Sequence, residues 1–539
     1  YGALPDRSMF IVSPSGNQVA YRTTSDSQDF LVVVNTLQNK LVGAVDISSI
    51  KPRFAYFIDE ERLILVTSQN TIIGGYRGRH NVSTAVSYNL ATKKVIRLLE
   101  PGNGIYKGQT SVGSIVAMSS DGKFAYMPAY TDQATYSLMK VFIDKRRKPR
   151  FFRKGTSDAI DYFMDDKDNL LARERYNNED DLHRVQALID DEWKTIFEET
   201  TKYRNKSFVG LTPDYKSLVM LAQNDAGRWA YYTMALADGK VSEPVFNRKD
   251  KDVERVLSDI NRVVYGVQYS GFRPSYEFFD PKLTKMLNNL GELAGDDSLR
   301  LIDHTPDWSK LVVKVEGSGS SGNYLTYDGK DFSFLGTGRK KITPERIHQI
   351  SEFSYKARDG LSIPTLLTLP KVEKVSNLPA IIMPHGGPES YDKIGFDWLA
   401  QYFASKGFLV VQPQFRGSTG FGLDHTLKGR GEWGRKMQDD LTDAVNLLSE
   451  KGYINPSQVC IAGASYGGYA ALAGAVFTPD LYKCVISING VSDVESMMKD
   501  ERRNYGSDHW VVSYWEDVIS KGGLDEDHLE QISPVNHAK

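Results

Sequence analysis

A serine stands between glycines in the C-terminal part of the chain, in the stretch Gly463–Ala464–Ser465–Tyr466–Gly467. The apolar run Val459–Ala462 precedes it, and an alanine-rich segment that favours helix follows it. A serine at a tight strand-to-helix turn is held in a strained conformation with its hydroxyl exposed, while the glycines let strand and helix pack closely. The pattern predicts a nucleophile elbow in which Ser465 attacks an acyl carbon.

Such a serine also needs hydrogen-bond donors for the negative charge on the substrate oxygen, each worth about 3 kcal/mol. The backbone N–H of Tyr466, directly after the serine, is the first candidate. Gly387 is the second, because it lies in a Gly-Gly loop after the apolar run Ala380–Met383, and glycine lets the backbone approach a substrate closely. His385, at the start of this loop, is a candidate for a structural role or for substrate contact rather than for a general base.

The serine further requires an imidazole to accept its proton and a carboxylate to orient that imidazole. In α/β-hydrolases these groups follow the serine, on loops after later strands. His509, His528 and His537 follow Ser465, but each lies in a polar segment without a further strand and helix after it. We therefore expect the triad Asp and His not to be in this chain.

The elements around these residues, from 341 to 539, alternate between apolar strands and helices, which is typical of an α/β sheet. One predicted helix carries an apolar face that comprises Met437, Leu441, Ala444, Val445 and Leu448. Asp439, Asp440 and Asp443 lie mostly off this face, so we expect them to form a solvated flank or to cap loops, without a chemical role.

Residues 1–340 show a different pattern, a polar turn followed by a short apolar strand, repeated about every 45 residues with one longer gap. This period is typical of four-stranded propeller blades, and two β-sandwiches would not require it. The sequence therefore predicts a β-propeller of about seven blades. The seven strands after these turns begin at or near Val19, Leu63, Phe124, Leu170, Leu218, Val263 and Leu311.

Four motifs occur in order behind the repeats: HGGP at 385–388, FRGSTGFG at 415–422, GEWG at 431–434 and GASYGGYA at 463–470. Together they resemble the prolyl oligopeptidase family of serine peptidases, within it the acylaminoacyl-peptidase-like branch. The resemblance implies that Ser465 is the nucleophile and that Gly387 and Tyr466 supply oxyanion N–H groups. It also implies that the strand presenting the catalytic Asp comes just after residues 532–536, so that the hydrolase domain is incomplete here.

Composition excludes several classes of protein. The 66 basic and 68 acidic residues nearly cancel, so no overall field favours nucleic acid, and no apolar run is long enough to cross a membrane. Cys460 and Cys484, the two cysteines, lie in apolar runs and are expected to be buried, unreactive thiols. No motif for a cofactor or metal is present, and no feature indicates an oligomeric state.

The leading functional hypothesis is hydrolysis of short peptides through an acyl-enzyme on Ser465, with the propeller restricting access. A carboxylesterase acting on small acyl esters, and a non-catalytic propeller binding protein, are the alternatives. We expect the chain to be the large fragment of a longer soluble peptidase. This fragment ends at Lys539, is inactive by itself and needs its missing C-terminal segment for activity. The resemblance favours an exported, periplasmic protein over a cytoplasmic one, because the start of the chain, with Leu4–Pro5 ahead of the first repeat, looks like that of exported bacterial members of the family.

Overall fold

The computed structural model describes residues 1–25, 28–73, 75, 77–102, 104–521, 523 and 525–538. Lys539, at which we expect the fragment to end, lies outside the described residues. Within these ranges no helix combines the length and the apolar character that a membrane crossing needs.

The N-terminal strands form seven sheets of three to five strands in the described residues, one sheet for each predicted repeat, and their pairings are antiparallel except for one short parallel strand in the second sheet. The first three blades contain β1 (Arg7–Val12), β2 (Gln18–Thr24), β3 (Asp29–Asn35) and β4 (Lys40–Asp46); β5 (Lys51–Phe57), β6 (Arg62–Ile72), β7 (Arg79–Asn89), β8 (Val95–Arg97) and β9 (Ser111–Val112); and β10 (Ala117–Met118), β11 (Phe124–Tyr130), β12 (Tyr136–Phe142) and β13 (Arg150–Thr156).

The other four blades contain β14 (Ala159–Met164), β15 (Leu170–Asn177), β16 (Leu182–Ile189) and β17 (Glu192–Thr200); β18 (Ser207–Leu211), β19 (Ser217–Gln223) and β20 (Trp229–Ala235); β21 (Val253–Ser258), β22 (Val264–Tyr269) and β23 (Ser275–Phe278), followed by α1 (Pro281–Leu293); and β24 (Ser298–His304), β25 (Leu311–Glu316), β26 (Ser321–Tyr327) and β27 (Phe332–Thr337).

The seven repeated turns of the sequence all occupy the same place, between the first and second strands of a blade. Six of the seven turns contain an aspartate that accepts a hydrogen bond from a backbone N–H of its own turn, and in the first turn the hydroxyl of Ser13 accepts one from Gln18. Asp121 accepts from the N–H of Lys123 at 3.0 Å, and Asp307 accepts from the N–H of Ser309 at 3.0 Å. The longer gap before Phe124 is taken up by the eleven-residue strands β6 and β7 and by β9.

Successive blades are held together by apolar clusters, one at each of the seven junctions in the described residues. The cluster between the seventh and first blades closes the ring. In it Phe10 stacks on Tyr324 with ring centroids 4.2 Å apart, and the N–H of Val12 donates to Asp303 at 2.8 Å. The ring is therefore closed by packing rather than by a shared strand.

The second part of the chain is an α/β-hydrolase sheet with strand order β28-β29-β31-β30-β32-β33. Its elements are β28 (Ile350–Lys356), β29 (Ser362–Thr368), β30 (Leu378–Ile382), α2 (Trp398–Ser405), β31 (Leu409–Pro413), α3 (Leu423–Leu427), α4 (Lys436–Glu450), β32 (Ile454–Ala464), α5 (Tyr466–Phe477), β33 (Cys484–Ile488), α6 (Val494–Tyr505), α7 (Trp510–Ser520) and α8 (Glu526–Ile532). The predicted apolar face of α4 is buried against this sheet.

Asp440 and Asp443 cap loops and do not form a solvated flank. They are buried and accept hydrogen bonds from the backbone N–H groups of Arg416 and Arg358, whose guanidinium groups also pair with them. The expectation about the cysteines is wrong. Cys460 and Cys484 are joined in a disulfide and are not free thiols, because β32 and β33 run parallel in a register that places them opposite each other.

The disulfide leads to a stability prediction. A bond that closes a loop of 24 residues is worth about 3 kcal/mol, because it restricts the unfolded chain. We expect the variant with Cys460→Ala and Cys484→Ala to lose about this much free energy of unfolding in urea titrations. Alkylation of the denatured, unreduced chain should add no label, whereas two labelled thiols would contradict the assignment.

Candidate active site

Ser465 occupies the junction between β32, in the interior of the hydrolase sheet, and α5. Its backbone angles are φ 55° and ψ −120°, a conformation that residues with a side chain adopt rarely. Its N–H donates to Ile488 of the neighbouring strand at 2.9 Å, and its carbonyl accepts from Tyr469 in the first turn of α5 at 3.0 Å. The side chain is exposed. This is the strained, outward-pointing geometry of a nucleophile elbow.

The glycines around Ser465 each occupy a place without room for a side chain. A Cβ atom on Gly463 would overlap the backbone of Gly467, and one on Gly467 would overlap the carbonyl oxygen of Pro384. A Cβ on Gly468 would lie 2.8 Å from the Cα of Gly490. The spacing recognised in the sequence therefore reflects three close backbone crossings at the start of α5.

The Gly-Gly loop after β30 lies directly against the serine. A Cβ on Gly386 would be 3.4 Å from the Cβ of Ser465, and Gly387 has a φ of 130°, followed by a cis bond to Pro388. Tyr466 is the first residue of α5, where helix N–H groups have no partner within the helix. Among the described residues, neither the N–H of Gly387 nor that of Tyr466 has a hydrogen-bond acceptor. Both groups remain available to an oxyanion.

His385 is tied into the loops beneath this site. Its Nδ1 lies 2.8 Å from the carbonyl oxygen of Gly386, its Nε2 lies 2.8 Å from the hydroxyl of Ser418, and its ring stacks on Phe415 at 4.5 Å. Desolvation of the imidazole lowers its pKa to about 4. The ring is therefore neutral at pH 7 and connects two loops, while its contact with a substrate stays a prediction.

The low pKa of His385 predicts a loss of stability in mild acid. The unfolded imidazole takes up a proton below pH 6.5 and the folded one only near pH 4, so the free energy of unfolding falls as pH decreases between these values. We expect this residue to account for about 2 to 3 kcal/mol of that loss. Urea titrations from pH 7 to 4 should show a flatter profile for His385→Gln; parallel profiles would contradict the prediction.

The loop that supports His385 is fixed by a buried ion pair. The guanidinium of Arg416 donates to both carboxylate oxygens of Asp440, at 2.9 and 2.7 Å, and their side chains are 3% and 0% exposed. It also donates to Asp359 at 2.8 Å, which lowers the pKa of that carboxyl to about 2. The preceding residue, Phe415, lies between the rings of His385 and Tyr466. The ion pair thus supports both sides of the candidate oxyanion hole.

Among the described residues, no histidine forms a hydrogen bond with the hydroxyl of Ser465. The Nε2 atoms of His528 and His537 contact the carbonyl oxygens of Ile519 and Gln531, at 3.2 and 2.8 Å. His509 caps the N-terminus of α7, where it accepts from the N–H of Val511. Each of the three candidate bases is therefore bonded to the backbone of α7 or α8.

A cluster that the sequence did not reveal joins the oxyanion loop to the propeller. Glu389, two residues after Gly387, pairs with Arg430 at 3.1 Å, and Arg430 also pairs with Asp517 of α7. The hydroxyl of Tyr203, which follows the fourth blade, donates to Asp517 at 2.6 Å. Tyr203 and Asp517 are 314 residues apart, so no local pattern could have indicated this contact.

Part of the chain matches a known protein family. The family model described as "Prolyl oligopeptidase family" matches residues 394–539. Dipeptidyl aminopeptidase BIII of Pseudoxanthomonas mexicana is 31% identical over 299 residues, which cover 54% of this chain and 43% of that protein. The human acylamino-acid-releasing enzyme is 30% identical over 123 residues, which cover 23% of this chain and 17% of the enzyme. The chain thus spans less than half the length of the curated relatives it matches.

Solved structures share the whole architecture. A puromycin-hydrolysing peptidase of Mycobacterium tuberculosis superposes with a TM-score of 0.72 at 16% identity, covering 99% of this chain and 84% of that one. At this identity the likeness concerns the fold alone. It confirms the prediction of a seven-bladed propeller followed by an α/β-hydrolase domain.

Proposed function

We propose, from the premise that this chain belongs to the prolyl oligopeptidase family, that it forms the nucleophile and oxyanion hole of a serine peptidase acting on short peptides. The observation that carries the proposal is the backbone of Ser465, with φ 55° at the strand-to-helix junction and an exposed side chain. A strained backbone of this kind persists only where the surrounding structure holds it, and such strain clusters at functional sites.

In the proposed reaction, the Oγ of Ser465 attacks the carbonyl carbon of the scissile peptide bond and gives its proton to an imidazole. The carbonyl oxygen becomes an oxyanion and accepts hydrogen bonds from the N–H groups of Gly387 and Tyr466. The C–N bond then breaks, and the leaving amine takes the proton from the imidazolium. Water hydrolyses the acyl-enzyme by the same steps and releases Ser465.

The imidazole and its carboxylate belong, in this proposal, to polypeptide outside these 539 residues. The edge of the hydrolase sheet supports this assignment. In the described residues β33 pairs with β32 alone, and its Ile486 and Ile488 are 39% and 40% exposed. A further parallel strand beside β33 would shield this edge, and the loop after it would start at the same end of the sheet as Ser465, two strands away from β32.

Restriction to short peptides is part of the same proposal. The hairpins between the second and third strands of blades four to seven all contact the hydrolase domain, so the propeller covers the side from which a substrate approaches. Four hydrogen bonds mark these contacts: Trp510 N–H to Asn178, Leu423 N–H to Gly227, Ser270 hydroxyl to Gly420, and Ile350 N–H to Ser318.

A fluorophosphonate probe tests the proposal directly. The natural full-length polypeptide is treated under native conditions, and every species present is then weighed by denaturing mass spectrometry and mapped by proteolysis. We expect a single label on Ser465 and none in Ser465→Ala. A folded full-length protein that takes no label at Ser465 would overturn the proposal.

A further measurement separates the peptidase from the carboxylesterase. A rate of cleavage of peptide anilides well above that of simple aryl esters supports a peptidase, and the reverse order supports a carboxylesterase.

Export stays part of the proposal. A disulfide between Cys460 and Cys484 in the natural protein would support it, because disulfides persist in oxidising compartments.

A further inference from the structure

A cavity of about 730 Å³ opens on the propeller, where the third blade meets the second and fourth. Three tyrosines (Tyr106, Tyr130 and Tyr136) and one aspartate, Asp132, line it. The remaining lining residues are uncharged and include Thr110 and Ile160. The rings of Tyr130 and Tyr136 lie 4.9 Å apart, and Tyr106 and Tyr130 are 41% and 37% exposed. Nothing in the proposed reaction uses this cavity.

The cavity lies at the same mouth of the propeller as the hydrolase domain. One of its walls is the hairpin between β11 and β12, the second and third strands of blade three. The corresponding hairpins of blades four to seven are the ones that contact the hydrolase domain, as at Asn178 and Gly227. Because strand directions alternate identically in every blade, all these hairpins lie at one end of the ring.

Among the residues that line the cavity, charge has one sign; Lys107, between Tyr106 and Gly108, is not itself part of the lining. None of its lining residues is Lys, Arg or His, and the exposed carboxylate of Asp132 forms no ion pair with a described residue. Behind the lining, Asp158 and Asp161 are paired with Arg175 and Arg262 at 2.9 and 2.8 Å, so these carboxylates are largely neutralised. A cavity walled by tyrosine rings with one unpaired carboxylate complements a cation.

We propose that this cavity binds a basic side chain, arginine or lysine, of a peptide at the propeller mouth. The guanidinium or ammonium group would lie over the rings of Tyr130 and Tyr136 and pair with Asp132. If the proposed peptidase function holds, the peptide is a substrate and the cavity selects a residue away from the cleaved bond. The binding site itself does not depend on catalysis.

The test uses fluorescein-labelled, blocked alanine hexapeptides that carry one arginine, citrulline or norleucine at each position in turn. Binding to the natural full-length protein with Ser465→Ala is followed by fluorescence anisotropy. We expect the best arginine peptide to bind about tenfold tighter than its citrulline equivalent, because citrulline keeps the shape without the charge. Equal affinities at every position would overturn the proposal.

Variants locate the site. Asp132→Asn should weaken binding of the arginine peptide about fivefold and leave the citrulline peptide unchanged. Tyr130→Ala should weaken it about tenfold, and Tyr130→Phe, which keeps the ring, should not. Asp225→Asn removes an exposed charge from the hairpin between β19 and β20, at the same mouth, and is the matched control. Equal losses of affinity for the arginine peptide in Asp132→Asn and Asp225→Asn would assign the effect to the overall negative charge of the propeller mouth and refute the site.

The two proposals fail separately. Fluorophosphonate labelling of Ser465 in the protein with Asp132→Asn alone should equal that of the unaltered protein, since the cavity does not touch the nucleophile. Absence of labelling together with charge-selective peptide binding would refute the peptidase and retain the site. Labelling without charge-selective binding would retain the peptidase and refute the binding site.

Discussion

Replacing Gly467 by alanine is expected to slow the reaction of Ser465 with a fluorophosphonate by about 100-fold or more. The new Cβ would overlap the carbonyl oxygen of Pro384, so the start of α5 or the Gly-Gly loop must move. Either movement displaces an oxyanion donor, Tyr466 or Gly387, relative to the hydroxyl. A displacement of about 1 Å at a reacting centre costs on the order of 100-fold in rate.

The measurement is the second-order rate constant of labelling, followed by intact mass in the natural full-length protein. Gly291→Ala is the matched control, because Gly291 lies inside helix α1 with nothing within 4 Å of its missing Cβ. This control should label at the unaltered rate. Circular dichroism establishes that both variants are folded. Normal labelling of a folded Gly467→Ala protein would show that the close crossing at Pro384 does not hold the site.

Replacing Arg416 by methionine is expected to lower the free energy of unfolding by about 3 to 5 kcal/mol. The substitution leaves the carboxylate of Asp440 buried without its partner, since that side chain is 0% exposed and Arg416 is 3% exposed. An uncompensated buried charge costs far more than the pair contributes when it is intact. The loop that carries Phe415 and Ser418 should loosen as well, and labelling of Ser465 should slow.

Urea titrations at pH 7 measure the effect, with Arg503→Met as the control. Arg503 pairs with Asp500, but the two side chains are 75% and 59% exposed, so this loss should stay below about 1 kcal/mol. The double variant Arg416→Met with Asp440→Leu should recover part of the stability, because it removes both charges. Similar small losses in Arg416→Met and Arg503→Met would refute the burial argument.

The local features of this protein were predictable from its sequence. The elbow around Ser465 depends on contacts between residues a few positions apart, so a short pattern of glycines and an apolar run indicates it. The blade turns are equally local, since aspartates such as Asp121 and Asp307 accept hydrogen bonds within their own turns. Seven repetitions of one turn are enough to predict the ring.

Residues that meet through the tertiary fold were not predictable in this way. The disulfide depends on the register of two parallel strands, and the burial of Asp440 depends on Arg416, which approaches from a loop after β31. The Glu389–Arg430–Asp517 cluster and the tyrosine cavity require the relative placement of distant elements.

The sequence alone therefore determined the order of the domains, the repeated blades and the position of the candidate nucleophile, because the hydrogen bonds of each turn and the contacts around the serine join residues a few positions apart. Only the tertiary structure decided which charges are buried, which cysteines are joined and which side chains face the propeller mouth. These features arise from contacts between segments far apart in the chain, whose geometry depends on the packing of the whole molecule.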